Sequence, residues 1–231
     1  DGDRIIRNGI NDTDRLGLLA KVGFNLTDEQ RLGLTYNFFK DETFSDFTID
    51  NSVLADPDAE FGRALRIDVD YEEPPEQVNH VLNLTYRHEN IFGSQLDAQV
   101  YYRDTELVQI FTDLRGLGLP PFFPALWQTT LDDTEIGGRL QIDTPLGNSA
   151  NLLWGADYSQ NDTASPLFIG DVATFSATGR IDIVDTSLDR FAAYELNSLG
   201  LFAQSSWDIT DQFQISGGLR YENVDLSVED Y

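Results

Sequence analysis

The chain has two histidines, forty carboxylates and no cysteine, and these set the chemistry open to it. His80 and His88 lie eight residues apart. On one strand they share a face but stand roughly 27 Å from each other, too far to hold one metal. They read as structural surface or rim residues. Ser205 and Ser206 have no histidine near them in sequence, which leaves a hydrolase triad unsupported. Gly116-Leu117-Gly118 and Gly217-Gly218 are not phosphate loops, because no helix pattern follows either. The lack of cysteine removes disulfides, thiol catalysis and cysteine zinc sites. No enzyme chemistry emerges, and no metal site is assigned.

Ligand capture is the chemistry that remains. Tyr71, Arg115, Phe122, Phe123, Trp127, Phe168 and Arg180 fall in stretches between the patterned segments. Rigid aromatic platforms and cationic donors suit a bulky, partly aromatic or anionic ligand. The plainer alternative has Pro120-Pro121-Phe122-Phe123-Pro124 packing on its own loop. Twelve Asp or Glu lie between Asp41 and Glu76, against Arg63 and Arg66. Asp56-Pro57-Asp58-Ala59-Glu60 alternates carboxylates as a calcium loop does, without the glycine an EF-hand turn requires. A solvated acidic loop is the simpler reading there, and loop Ca2+ the functional one. The net charge of −25 argues against nucleic acid as a partner.

The elements that would position these residues repeat with period two. Eight segments of roughly ten residues alternate in this way. Leu16, Leu18, Ala20, Val22 and Phe24 oppose Arg15, Gly17, Lys21 and Gly23. Leu96, Ala98, Val100 and Tyr102 oppose Gln95, Asp97, Gln99 and Arg103. The other six lie within 31–38, 82–87, 135–142, 151–158, 199–208 and 213–222. Short turns join them, as at Asn25–Glu29, Glu89–Gly93, Thr144–Asn148 and Thr210–Gln212. Long loops are expected at roughly 41–77, 112–130 and 160–195. Short turns on one rim and long loops on the other are what a membrane β-barrel shows, and its strands need only about 9–11 residues with one apolar face. Tyr36, Phe38, Tyr102, Tyr158 and Tyr221 fall near the long-loop end of the apolar face, and Phe24, Tyr86, Trp207 and Phe213 near the other. Two aromatic girdles around an aliphatic band are the expected lipid-facing surface.

The expectation is therefore all-β: about eight strands of an antiparallel transmembrane β-barrel, with short periplasmic turns and long extracellular loops. It places the protein in the cell outer membrane, facing lipid and lipopolysaccharide; divalent cations bridging from the acidic loop are the functional alternative to a simply solvated loop. A soluble acidic β-sandwich adhesin is the alternative. The chain carries no Met, begins in polar sequence and runs past its eighth strand, so residues 1–231 are expected to be part of a larger barrel domain.

Leu201–Glu222, LFAQSSWDITDQFQISGGLRYE, resembles the TonB-dependent receptor family. Phe202-Ala203-Gln204, Trp207, Thr210-Asp211 and Gly218-Leu219-Arg220-Tyr221 carry the resemblance. Val78–Asp104 resembles the hydroxamate and aerobactin-type siderophore receptors. The resemblance implies a 22-stranded barrel, an N-terminal plug domain and TonB as partners, and a ferric siderophore as the transported ligand rather than a cofactor. The plug motifs are not in this sequence. Cobalamin, heme or a glycan stands as the alternative cargo.

Overall fold

The computed structural model describes residues 11–45, 47–49, 64–67, 69–71, 74–109, 111–120 and 123–228. Eight long strands dominate: β1 (Asn11–Asn25), β2 (Gln30–Ser45), β5 (Glu76–Ile91), β6 (Ser94–Val108), β8 (Leu126–Leu146), β9 (Ala150–Gly170), β10 (Ile183–Thr210) and β11 (Phe213–Val228). They pair antiparallel in the order β1-β2-β5-β6-β8-β9-β10-β11. A short β7 (Thr112–Asp113) adds to β8, and β3 (Phe47–Ile49) pairs with β4 (Ala64–Ile67) as a separate hairpin. A helix α1 (Val172–Thr178) joins β9 to β10. A sandwich needs a second full sheet packed on the first. The only other sheet among the described residues is this two-stranded hairpin, so the sandwich alternative is not what the chain builds.

The register places every residue of the expected apolar stripe on one face. Residues paired across each hairpin share a midpoint: 28 for β1–β2, 92 for β5–β6, 148 for β8–β9 and 211 for β10–β11. One pairing line runs Phe24, Leu32, Tyr86, Ala98, Leu140, Ala156, Leu201, Tyr221. It meets the four hairpins four, six, eight and ten residues from their midpoints, climbing one residue per strand. With the turns level, ~3.3 Å per residue and ~4.8 Å between strands give a strand tilt of about 35°. Barrels of the outer-membrane type tilt by roughly 35–45°.

The same count sorts the aromatics. Phe38, Tyr102, Tyr158 and Tyr221 all stand ten residues from their hairpin midpoints, and Tyr36 stands eight. Phe24 and Trp207 stand four, Tyr86 six and Phe213 two. The four- and ten-residue levels are about 16 Å apart in height. They fit within the roughly 25 Å apolar band of such barrels. Beyond the upper level this face turns acidic: Asp104 stands twelve residues out, and Glu42, Glu106, Asp162 and Asp225 fourteen. His80 sits at that boundary, its Nδ1 2.8 Å from the Tyr36 hydroxyl and its ring 5.0 Å from Phe38. His88 is at the opposite end of β5, edge-on to Tyr86. The two histidines flank the two aromatic levels and do not meet.

Two expected loops shrink. β8 begins at Leu126, so the 112–130 loop ends earlier than expected. β9 runs to Gly170 and β10 starts at Ile183, so 160–195 is mostly strand. Past the girdle both faces are polar, as in Asp132-Asp133-Thr134-Glu135, and the alternation that marks a strand disappears while its backbone ladder continues.

Candidate functional site: the loop cap and the inner wall

At the long-loop rim three connections converge on one small core. Phe111, Leu126, Phe175, Ile181 and Val69 are buried together, with Tyr71 and Ile183 packed against them. Short local signals build it. Asp171 caps α1 by accepting from the backbone N–H groups of Ala173 and Thr174. Gly179, at φ 84°, ends the helix, a conformation a side chain would resist. Asp70 bridges to Arg180, its N–H donating to the Gly179 carbonyl at 2.9 Å while Ile181 donates back at 3.0 Å. The bonds from Thr174 hold the Asp171 carboxyl below the usual carboxylate range. The Arg180 guanidinium does the same for Asp182.

The candidate ligand residues divide within this cap. Arg115 donates to both Asp113 oxygens at 2.9 and 2.7 Å and to Ser176 at 2.7 Å, and lies 4.6 Å over the Phe175 ring. It is a strut of the core as well as a lining residue. Tyr71 is largely buried, and burial pushes its phenol up to about 12. Arg180 is paired with Asp182 at 2.6 and 2.7 Å. Trp127 and Phe168 sit half-buried where β8 meets β9, opposite Ile169 and Gln128 respectively. Phe122 and Asp56–Glu60 lie outside the described residues. Phe123 is half exposed and, with Arg115, lines a cavity of about 720 Å³. Leu119, Pro120, Pro124 and Leu188 complete its apolar wall. Leu119 and Leu188 went unnoticed in the sequence. They are isolated apolar residues with no period around them, and the readable signal was only that the loops carry more apolar residues than solvation needs.

The other face of the sheet is polar and cross-braced. Arg15 pairs with Asp41 at 2.6 Å, Arg87 with Asp97 at 2.7 Å, Arg103 with Glu135 at 2.6 Å and Arg220 with Asp157 at 2.7 Å. Several glycines lie beneath large neighbours. Tyr101 covers Gly137 while donating to Glu135 at 2.8 Å, and Phe202 covers Gly155. A Cβ on Gly155 would meet the Phe202 ring at 2.7 Å and also the Leu140 backbone carbonyl, which cannot swing away. Gly155→Ala is therefore expected to cost about 1–3 kcal/mol of unfolding free energy. Gly17→Ala, with nothing within 4 Å, should cost close to nothing. Urea titration of both variants in detergent checks this, and equal losses would refute it.

A tilted antiparallel sheet, with aromatic levels bounding an aliphatic band on one face, polar side chains on the other and a packed loop cap at one rim, has the form of a β-barrel wall. No helix among the described residues is long and apolar enough to cross a membrane. The chain belongs to the family described as TonB dependent receptor-like, beta-barrel, which it matches over residues 18–231. It is a β-barrel chain of the outer membrane. It is 23% identical to the ferric aerobactin receptor of Klebsiella pneumoniae, over 97% of this chain and 31% of that protein. It is 24% identical to the rhizobactin receptor of Rhizobium meliloti (strain 1021), over 94% of this chain and 29% of that one. The chain thus spans about a third of the length of the curated relatives it matches. Among solved structures it resembles the ferric citrate transporter FecA in its unliganded form (TM-score 0.68, 13% identity, 94% of this chain and 30% of that one). It also resembles the copper transporter OprC (TM-score 0.66, 15% identity, 94% and 29%). At these identities the structural likeness carries the fold.

Proposed function

We propose that this chain forms part of the wall and outer cap of a receptor that binds ferric siderophores and imports them, with a plug domain and TonB as the partners the family implies. The girdled face meets outer-membrane lipid, and the acidic face above it meets lipopolysaccharide. The observation that carries the reading is the cavity in the loop cap, where exposed Phe123 and the Arg115 guanidinium stand together on an apolar wall. An exposed aromatic platform on an apolar wall suits a bulky, partly aromatic ligand. The alignment of ferric aerobactin and rhizobactin receptors over nearly the whole chain supports the cargo class. The test is a titration of the intact receptor with ferric aerobactin and, in parallel, with cobalamin. Saturable binding of the ferric ligand, weakened about tenfold in Phe123→Ala, is expected; a tenfold loss corresponds to about 1.4 kcal/mol. Binding of cobalamin in place of the ferric ligand would overturn the cargo.

A further inference from the structure

The cavity in the loop cap is bounded by two neighbouring connections. Leu119, Pro120, Phe123 and Pro124 come from the stretch between β7 and β8, and Ile169 and Leu188 from the facing ends of β9 and β10. Two charged residues also line it, Arg115 and Asp185. Arg115 has no donor to spare. Its Nε and Nη2 donate to the two Asp113 oxygens, its Nη1 donates to Ser176, and its face covers the Phe175 ring. The side chain is 18% exposed and its carboxylate partner is buried, so the positive charge is cancelled inside the fold. Asp185 accepts from the Ser187 N–H at 2.8 Å. The bonds from Ser187 hold its carboxyl below the usual carboxylate range, and it stays ionised at neutral pH. What the cavity presents is therefore hydrocarbon and one carboxylate. An anionic chelating group placed here would lose water, gain no free donor and meet a like charge.

We propose that this cavity takes an uncharged hydrocarbon arm of the ligand, alkyl or aryl, and not its iron-chelating head. The inference rests on the import reading above and divides the ligand between two surroundings. Hydrocarbon buried against Leu119, Phe123 and Leu188 needs no polar partner. The volume of about 720 Å³ is that of a small-molecule site. The walls and the partners of Arg115 all lie between Asp113 and Leu188, so their chemistry is set within this chain.

The probes are three ferric dihydroxamates with one shared chelating head, carrying an acetyl, an octanoyl or a benzoyl group at the same position. Each is titrated into the intact receptor in lipid vesicles, with receptor-free vesicles correcting for uptake by the bilayer. The octanoyl and benzoyl forms should bind about tenfold more tightly than the acetyl form. Leu119→Ala and Leu188→Ala should each lower that ratio about threefold and leave the acetyl form binding as before. Leu117→Ala, exposed in the same connection but off the cavity wall, should leave the ratio unchanged. Added salt should not change the ratio either, because burial of hydrocarbon is not screened. Equal binding of the three forms, or a ratio indifferent to both wall variants, overturns the hydrocarbon subsite and leaves the import reading standing. Failure of all three ferric forms to bind overturns the import reading, and the subsite with it.

Discussion

Phe175→Ala should cost the loop cap about 3–5 kcal/mol, the usual range for truncating a fully buried aromatic ring. The Phe175 ring is fully buried, with the Phe111 ring 6.0 Å away and the Arg115 guanidinium 4.6 Å above it. Losing the ring leaves a hole that surrounding loops, tied by the Asp70–Arg180 bridge, fill only in part. It also removes the aromatic partner of Arg115, whose remaining bonds to Asp113 and Ser176 hold one edge of the cavity in the loop cap. Phe175→Leu keeps most of the volume and should cost clearly less. Hydrogen exchange is the measurement. Amides of 111–126 and 171–183 should lose protection, while those of β1, β2 and the lower halves of β8 and β9 keep it. Unchanged protection in the cap, or equal loss throughout the sheet, would show that the cap is not an independently packed unit.

Arginine at the middle of the apolar face should cost about 2–4 kcal/mol, because a charge there faces hydrocarbon. Leu34 and Val100 are the positions of choice. They stand six and eight residues from their hairpin midpoints, between the aromatic levels at four and ten. The control is one residue away. Gln99 points to the opposite face and pairs with Arg139. Gln99→Arg adds a charge opposite a like charge, which costs roughly 0.2–1 kcal/mol. Unfolding by urea from lipid vesicles, with Leu34→Arg, Val100→Arg and Gln99→Arg side by side, gives the comparison. Equal costs on the two faces would sink the assignment of inside and outside. The outer acidic residues extend the same logic upward: Glu42, Glu106, Asp162 and Asp225 share the face of Val100, yet they lie beyond the aromatic level, where water and headgroups accept charge.

The eight membrane-crossing strands, their turns and the two aromatic levels could be read from residues alone. A strand in lipid must alternate, because one face meets hydrocarbon and the other a polar interior, and Leu96-Asp97-Ala98-Gln99-Val100 records both demands. The family resemblance of Leu201–Glu222 lay in the same pattern. Tertiary structure decided what alternation does not encode. The climb of one residue per strand, which puts Phe24 and Tyr221 on one pairing line, is a property of register between strands distant in sequence. The upper reaches of β8, β9 and β10 have polar residues on both faces and so carry no period. The core of the cap draws Val69, Phe111, Leu126, Phe175 and Ile181 from three separate connections. Their burial is a matter of which loops meet, and no local spacing announces that. The cluster of cations on the polar face is of the same kind: Lys21, Arg31, Arg87 and Arg139 come from four strands, and only pairing brings them near Gly23 and Gly33.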